Sequence, residues 1–163
     1  MSRLKPRKPD GDDARDPQRI RAAALDFLAR REHSAGEINA KLVTRGYNRD
    51  AVAAVVADLA AANLLSDVRF VEEFVASRLR RGSGPLKIRE ELRGRGVDDT
   101  LVDTTLDRYS EEWVDAAAGV RRKRFGAALP REYAERARQA RFLQQRGFSA
   151  GHIRQVMKGD IDD

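Results

Sequence analysis

The chain has 163 residues, 36% of them charged and only 6% aromatic, with no cysteine and two histidines. These figures exclude a disulfide scaffold, a thiolate metal site, a cysteine nucleophile and a His-rich metal centre. No apolar run approaches the ~18 residues of a membrane span, and no signal-peptide core follows the charged start. A soluble protein of a reducing, cytoplasmic compartment is expected. It carries 32 Lys and Arg against 26 Asp and Glu, a net charge of +6. Residues 113–163 hold eleven basic and six acidic residues, so the surplus sits in the last third. A basic excess of this kind points toward nucleic acid or a nucleoprotein.

Residues 1–16 combine nine charges with two prolines and one leucine. They bury too little to offset the entropy of ordering, which predicts a disordered tail. From residue 17 to about 31, Ile20, Ala24, Leu25, Phe27 and Leu28 form an apolar stripe at helical spacing. Ser34 with Glu37 three residues later predicts a capping box that opens a second helix. That helix ends at Arg45-Gly46, and Asn48 is placed to cap a third.

Sliding the chain by about fifty residues repeats this pattern. EINAKLVTRGY (37–47) aligns with KIREELRGRGV (87–97) and RQARFLQQRGF (138–148). Leu42, Leu92 and Leu143 coincide, followed by Arg45-Gly46, Arg95-Gly96 and Arg146-Gly147. After each glycine stand one apolar residue (Tyr47, Val97, Phe148) and one capping residue (Asn48, Asp98, Ser149). Each unit therefore reads helix, glycine C-cap, N-cap, helix, and the arginine before the glycine suits the negative end of a helix dipole.

A third helix precedes each pair. In the second unit Ser66 or Asp67 caps it, Phe70, Phe74, Val75 and Leu79 line one side, and Gly82-Ser83-Gly84-Pro85 breaks it. In the third it covers about 112–125, with Trp113, Ala117, Val120 and Phe125 as burial candidates. The expected architecture is all-α: an elongated array of three tandem three-helix, helix-turn-helix-like repeats, nine helices in all. Its boundaries fall at 17–65, 66–111 and 112–158, followed by an acidic tail at 159–163.

No catalytic constellation emerges, and no enzyme or cofactor is expected. RGSGP at 81–85 lacks the Lys-Ser or Lys-Thr of a phosphate loop and reads as a linker. His33 and His152 occupy non-equivalent repeat positions without an acid or nucleophile at useful spacing. Glu72-Glu73, Glu90-Glu91 and Glu111-Glu112 are adjacent in sequence, and successive helical side chains diverge by about 100°. Basic residues are the remaining signal: Arg78, Arg80, Arg81, Lys87, Arg89, Arg93 and Arg95, then Arg121, Arg122, Lys123 and Arg124. Aromatics fall at core-like spacing, so any nucleic-acid contact should be to phosphates and salt-sensitive. The third helices, AVAAVVADLAA and TLVDTTLDRY, offer few side chains able to read base edges.

Three segments together resemble the RecX family of regulators of the RecA recombinase. They are ALDFLARREHSAGEINAKLVTRGY (24–47), LLSDVRFVEEFVASRLRRGSGPLKIREELRGRGV (64–97) and RQARFLQQRGFSAGHIRQVM (138–157). The middle segment is the most specific, through Asp67, Arg69, Phe70, Phe74, Arg78, Gly82, Gly84, Pro85, Ile88, Glu91 and Leu92. The start of the third repeat, from Trp113 to Pro130, is less regular. The resemblance implies a monomeric, cytoplasmic modulator, negative in sign, of the RecA–single-stranded DNA filament. It implies binding in the filament groove or at the growing end, with inhibition of ATP hydrolysis, coprotease action and strand exchange. That role belongs to DNA repair, recombination and the SOS response. Arg69 and the basic residues above are the expected contacts, with weak, sequence-neutral DNA binding and no membrane partner. The alternative is a stand-alone helix-turn-helix regulator of nucleic acid.

Overall fold

The computed structural model describes residues 7–158, and among these there are nine α-helices and no strand. The helices are α1 (Pro17–Leu28), α2 (Ala35–Thr44), α3 (Arg49–Ala61), α4 (Asp67–Arg80), α5 (Pro85–Arg93), α6 (Asp99–Asp107), α7 (Glu112–Phe125), α8 (Tyr133–Gln145) and α9 (Ala150–Lys158). They form three successive three-helix repeats distributed over two compact units. One unit holds the chain up to Phe70 together with Arg95–Val97; the other holds Val71–Gly94 and the chain from Asp98 onward.

In the first unit α1, α2 and α3 pack on one another. Ile20, Ala24, Ile38, Leu42, Val52, Val55, Val56, Leu59 and Leu65 are buried between them. Ser34 and Glu37 make the expected capping box, Ser34 Oγ accepting from the Glu37 N–H at 3.0 Å. The Asp67 carboxylate serves another helix, accepting from the Ala35 N–H at 2.8 Å at the start of α2. Ser66 serves α4, accepting from the Arg69 N–H at 3.2 Å.

The expected disordered tail is corrected over its described part; residues 1–6 lie outside the described residues. Gly11–Arg15 form a 3-10 helix, and the Ala14 carbonyl accepts from the Asn48 N–H at 2.8 Å. Asp16 then caps α1 through the Gln18 N–H, and Arg19 pairs with Asp13 at 3.1 Å. Composition missed this because the segment is held by backbone and capping bonds and contributes no buried side chain.

In the second unit α5 packs with α6, and α7, α8 and α9 pack together. Val71, Phe74, Val75, Ile88, Leu92, Val102, Leu106, Trp113, Ala117, Leu143 and Phe148 are buried. Pro85 is the first residue of α5, as its fixed φ favours. The N-cap before it, Gly84, has no side chain to offer. Its N–H donates instead to the Arg146 carbonyl at 2.7 Å, and the Leu86 N–H to the Gly147 carbonyl at 3.0 Å. The Arg-Gly turn after α8 thus sits directly on the start of α5, with Gly147 in the left-handed region at φ +95°.

The approach leaves no room for a Cβ on Gly84, which would lie 2.5 Å from the Gly147 oxygen and the Phe148 nitrogen. Both neighbours are backbone. Gly84→Ala is therefore expected to destabilise the fold by about 2 kcal/mol or more, the upper part of the overpacking range. Gly94→Ala is the control, because a Cβ there meets nothing closer than 3.5 Å. Urea denaturation of the two variants checks this; equal midpoints would contradict it.

Candidate nucleoprotein interface

A cation can attract a polyanion only to the extent that its charge is not already matched by a carboxylate or committed inside the fold. The twelve basic residues singled out by sequence divide on that criterion. Arg69 donates from Nε to Glu32 at 2.9 Å and from its terminal nitrogens to the side chain and carbonyl of Asn63. Arg78 pairs with Glu91 at 2.7 Å and lies over the Phe74 ring at 4.4 Å. Arg89 pairs with Asp103 at 2.7 Å, Arg93 stands 3.7 Å from Asp99, and Arg95 pairs with Glu37.

Arg121 is committed differently. Only 4% exposed, it donates to the Ala127 and Ala128 carbonyls and to Gln139 Oε1 at 3.0, 3.3 and 3.2 Å. The guanidinium ties α7 to the loop after it and to α8, so it is a buried support and not surface charge. In the sequence it is indistinguishable from its basic neighbours.

Arg80, Arg81, Lys87, Arg122, Lys123 and Arg124 are exposed. Four of them converge. Arg80 and Arg81 at the end of α4 line a groove of about 610 Å³ together with Lys123 and Arg124 from α7 and Arg146 from the end of α8. Leu79, Ala116, Val120 and Phe142 supply its apolar wall, with Gly82 and Gly119 among the lining residues. No carboxylate lines it. Among the described residues none of these five cations has an acidic partner, in contrast to Arg78, Arg89 and Arg93 of the same unit.

Local folding places them. The left-handed Gly82, at φ +82°, turns the chain out of α4, and a Cβ there would sit 2.7 Å from Val120 and 3.2 Å from the Arg146 guanidinium. Arg146 Nε is buried without a hydrogen-bond partner, and its guanidinium lies 5.8 Å from the Phe142 ring centroid. A second hollow alongside shares Arg124 and Phe142 and adds Arg138 and Arg141. There Phe125 and Phe142 meet edge to face at 5.2 Å, and Arg138 covers Phe125 at 5.3 Å. By sequence Arg146 reads as a helix-end cation, and Phe142 carries no signal of its own. Repeat position explains Arg146 well enough that a second role is not visible there.

The first unit holds a separate titratable cluster. Glu37 is hydrogen-bonded by Arg31, Arg95 and the Ser34 N–H. Burial alone would raise its pKa, but these donors outweigh it and hold the carboxyl below its ordinary range. His33, 2% exposed, places Nδ1 3.0 Å from the Arg31 carbonyl and Nε2 3.0 Å from Lys41 Nζ. The network assigns the proton to Nδ1, with Nε2 accepting from the lysine. Burial, with the Arg31 and Lys41 charges, lowers the His33 pKa against the carbonyl bond that raises it.

Known proteins match this chain throughout its helical part. Residues 21–59 match the first three-helix domain of RecX, 66–106 the second and 110–157 the third. The chain belongs to the RecX family. Relatives include the regulatory protein RecX of Halorhodospira halophila, 46% identical over 88% of this chain and 89% of that protein. The RecX regulatory protein of Pseudomonas fluorescens is 39% identical over 88% of this chain and 94% of its own length. The crystal structure of RecX from Lactobacillus salivarius has the same fold, with a TM-score of 0.76 at 21% identity over 89% of this chain and 96% of that one. The family is one of regulatory proteins. Among the described residues no helix is long and apolar enough to cross a membrane.

The His33–Glu37 cluster has a pH signature. Both groups have folded pKa values below their unfolded ones, so their stabilisation is complete above the unfolded pKa and lost as pH falls. The loss should begin below the ordinary histidine value of 6.5 and deepen below the ordinary glutamate value of 4.5. Urea midpoints taken from pH 7.5 downward should fall in that order. In His33→Gln the earlier loss should shrink to the part owed to His152, whose pKa burial also lowers.

Proposed function

We propose that this chain is a negative regulator of the RecA recombinase and that it meets the recombinase–single-stranded DNA filament through the basic surface of its second unit. The observation that carries this reading is the convergence of Arg80, Arg81, Lys123, Arg124 and Arg146 on one groove with no carboxylate in its lining. The family match, the family's regulatory character and this unneutralised charge fit one another. Binding lies in the filament groove or at its growing end, and the consequence is slower ATP hydrolysis, coprotease action and strand exchange.

DNA contact in this reading is to phosphates and neutral to sequence. A helix-turn-helix regulator needs a third helix that can enter a groove lined with phosphates. Here α6 carries Asp99, Asp103 and Asp107 and no basic residue, and α3 carries Arg49 beside Asp50 and Asp58. Repulsion from the phosphate backbone disfavours both helices, whereas α9, the third helix of the last repeat, carries Arg154 and Lys158 without an acid and is where a helix-turn-helix reading would have to stand. The exposed cations outside them suit a filament whose sequence is irrelevant to the regulator.

Two measurements test the reading. Recombinase ATP hydrolysis on single-stranded DNA should fall when this protein is added below the recombinase concentration; an unchanged rate and filament length would overturn the proposal. For the protein alone, Lys123→Glu with Arg124→Glu should weaken single-stranded DNA binding. The salt dependence of log K should become shallower by about 1.4, at about 0.7 for each phosphate no longer neutralised. A slope unaltered by the double reversal removes α7 from the contact surface.

A further inference from the structure

Most of the arginines around α5 and α6 are matched by acids: Arg78 by Glu91, Arg89 by Asp103 and Arg108 by Glu72. The groove between the end of α4, α7 and the end of α8 is not. Like charges gathered around one volume repel each other, and an anion that enters it is attracted by all of them at once. Arg146 adds a fifth positive charge to the lining, its guanidinium beside Gly82 and Phe142 and without a carboxylate. The groove's volume of about 610 Å³ lies within the span of about 300–1,000 Å³ typical of small-ligand pockets.

We propose that this groove is a binding site for a nucleoside triphosphate, with the polyphosphate held by the five cations and the base or sugar laid on the Leu79, Val120 and Phe142 wall. The geometry distinguishes a compact ligand from a strand. A strand can touch such a groove with only a phosphate or two as it passes, its other contacts lying along a track outside it. Here the cations come from three chain segments and face one volume, as phosphates bonded in succession require. The lining is also amphiphilic: one part is charged, the other aliphatic and aromatic, and a nucleotide divides its chemistry in the same way. Leu79, Val120 and Phe142 would be unused by inorganic phosphate.

Gly119 lies in the lining, on α7, and a Cβ added there meets no atom within 4 Å. A side chain at this position therefore projects into open space. It also replaces a mid-helix glycine by a better helix former, so the fold is not put at risk. The inference rests in part on the proposed DNA contact, because the same cations serve both ligands. A bound triphosphate would neutralise them, and nucleotide and DNA should compete for the protein.

Amide NMR of the full chain tests this by titrating ATP, inorganic triphosphate and a thymidine oligonucleotide separately. ATP is expected to shift the Gly82 and Gly119 amides at lower concentration than inorganic triphosphate does, and to displace the oligonucleotide. Gly119→Leu, which keeps every charge, should abolish the shift at Gly82. Lys123→Glu should weaken ATP binding by about tenfold, as loss and reversal of a close charge partner does. Arg21→Glu, an exposed change on α1, should leave it unaltered. Absence of shifts with ATP overturns the proposal, and so does ATP binding that survives Gly119→Leu, which would be diffuse charge attraction only. Shifts with the oligonucleotide alone also overturn it while leaving the DNA contact standing. ATP binding without any effect on recombinase hydrolysis would instead sink the regulatory reading and spare this one.

Discussion

A helix begins with N–H groups that no residue of its own helix can accept, and leaving a buried one unmet costs about 1–3 kcal/mol. The two units meet that constraint differently, although in each an Arg-Gly turn is seated on the start of another helix. In the second unit the Arg146 and Gly147 carbonyls accept from Gly84 and Leu86. In the first the Arg95 carbonyl accepts from Ser34 Oγ at 2.8 Å while Ser34 caps α2. A Cβ on Gly36 would stand 2.8 Å from that same carbonyl. Backbone packed on backbone is the reason these positions are glycine or serine. In the second unit it also makes the turn more than a connection between two helices, since there it supplies acceptors that the start of α5 lacks.

The three arginines of these turns occupy one repeat position and have separate tasks. Arg45 covers the Phe27 ring at 4.3 Å, Arg95 closes on Glu37, and Arg146 lies beside Phe142 with Nε unmatched. Exposed ion pairs such as Arg93 with Asp99 contribute little to stability, about 0–1 kcal/mol, but they do neutralise charge. The surface is therefore patterned by subtraction. Acids placed on α5 and α6 cancel the cations near them, and the region where α4, α7 and α8 meet keeps its own.

Much of the fold was legible because it depends on local rules. Ser34 with Glu37, Pro85 at a helix start, and glycine with Asn48, Asp98 or Ser149 after it each report a helix boundary from a few adjacent residues. What was not legible depends on residues far apart in sequence. Nothing local distinguishes Gly84 as a seat for Gly147, or Arg121 as the buried member of Arg121–Arg124. The groove was hidden for the same reason. Its cations come from 80–81, 123–124 and 146, and only tertiary packing brings them around one volume. Residues 7–16 failed in the opposite sense: their composition looks disordered, yet one carbonyl, that of Ala14, and the Asp16 cap are enough to place them.

The start of α8 differs from the starts of α2 and α5. Where those helices present Ser34 and Gly84, the aligned residue is Glu135, already inside α8 and engaged with Gln139 Nε2 at 3.0 Å. A carboxylate there repels carbonyl oxygens and fills the space that an Arg-Gly turn would need. Lys8 and Pro9, for their part, lie against the first Arg-Gly turn at Gly46. The start of α8 therefore offers a neighbouring turn a charged side chain where α2 and α5 offer a hydroxyl or bare backbone.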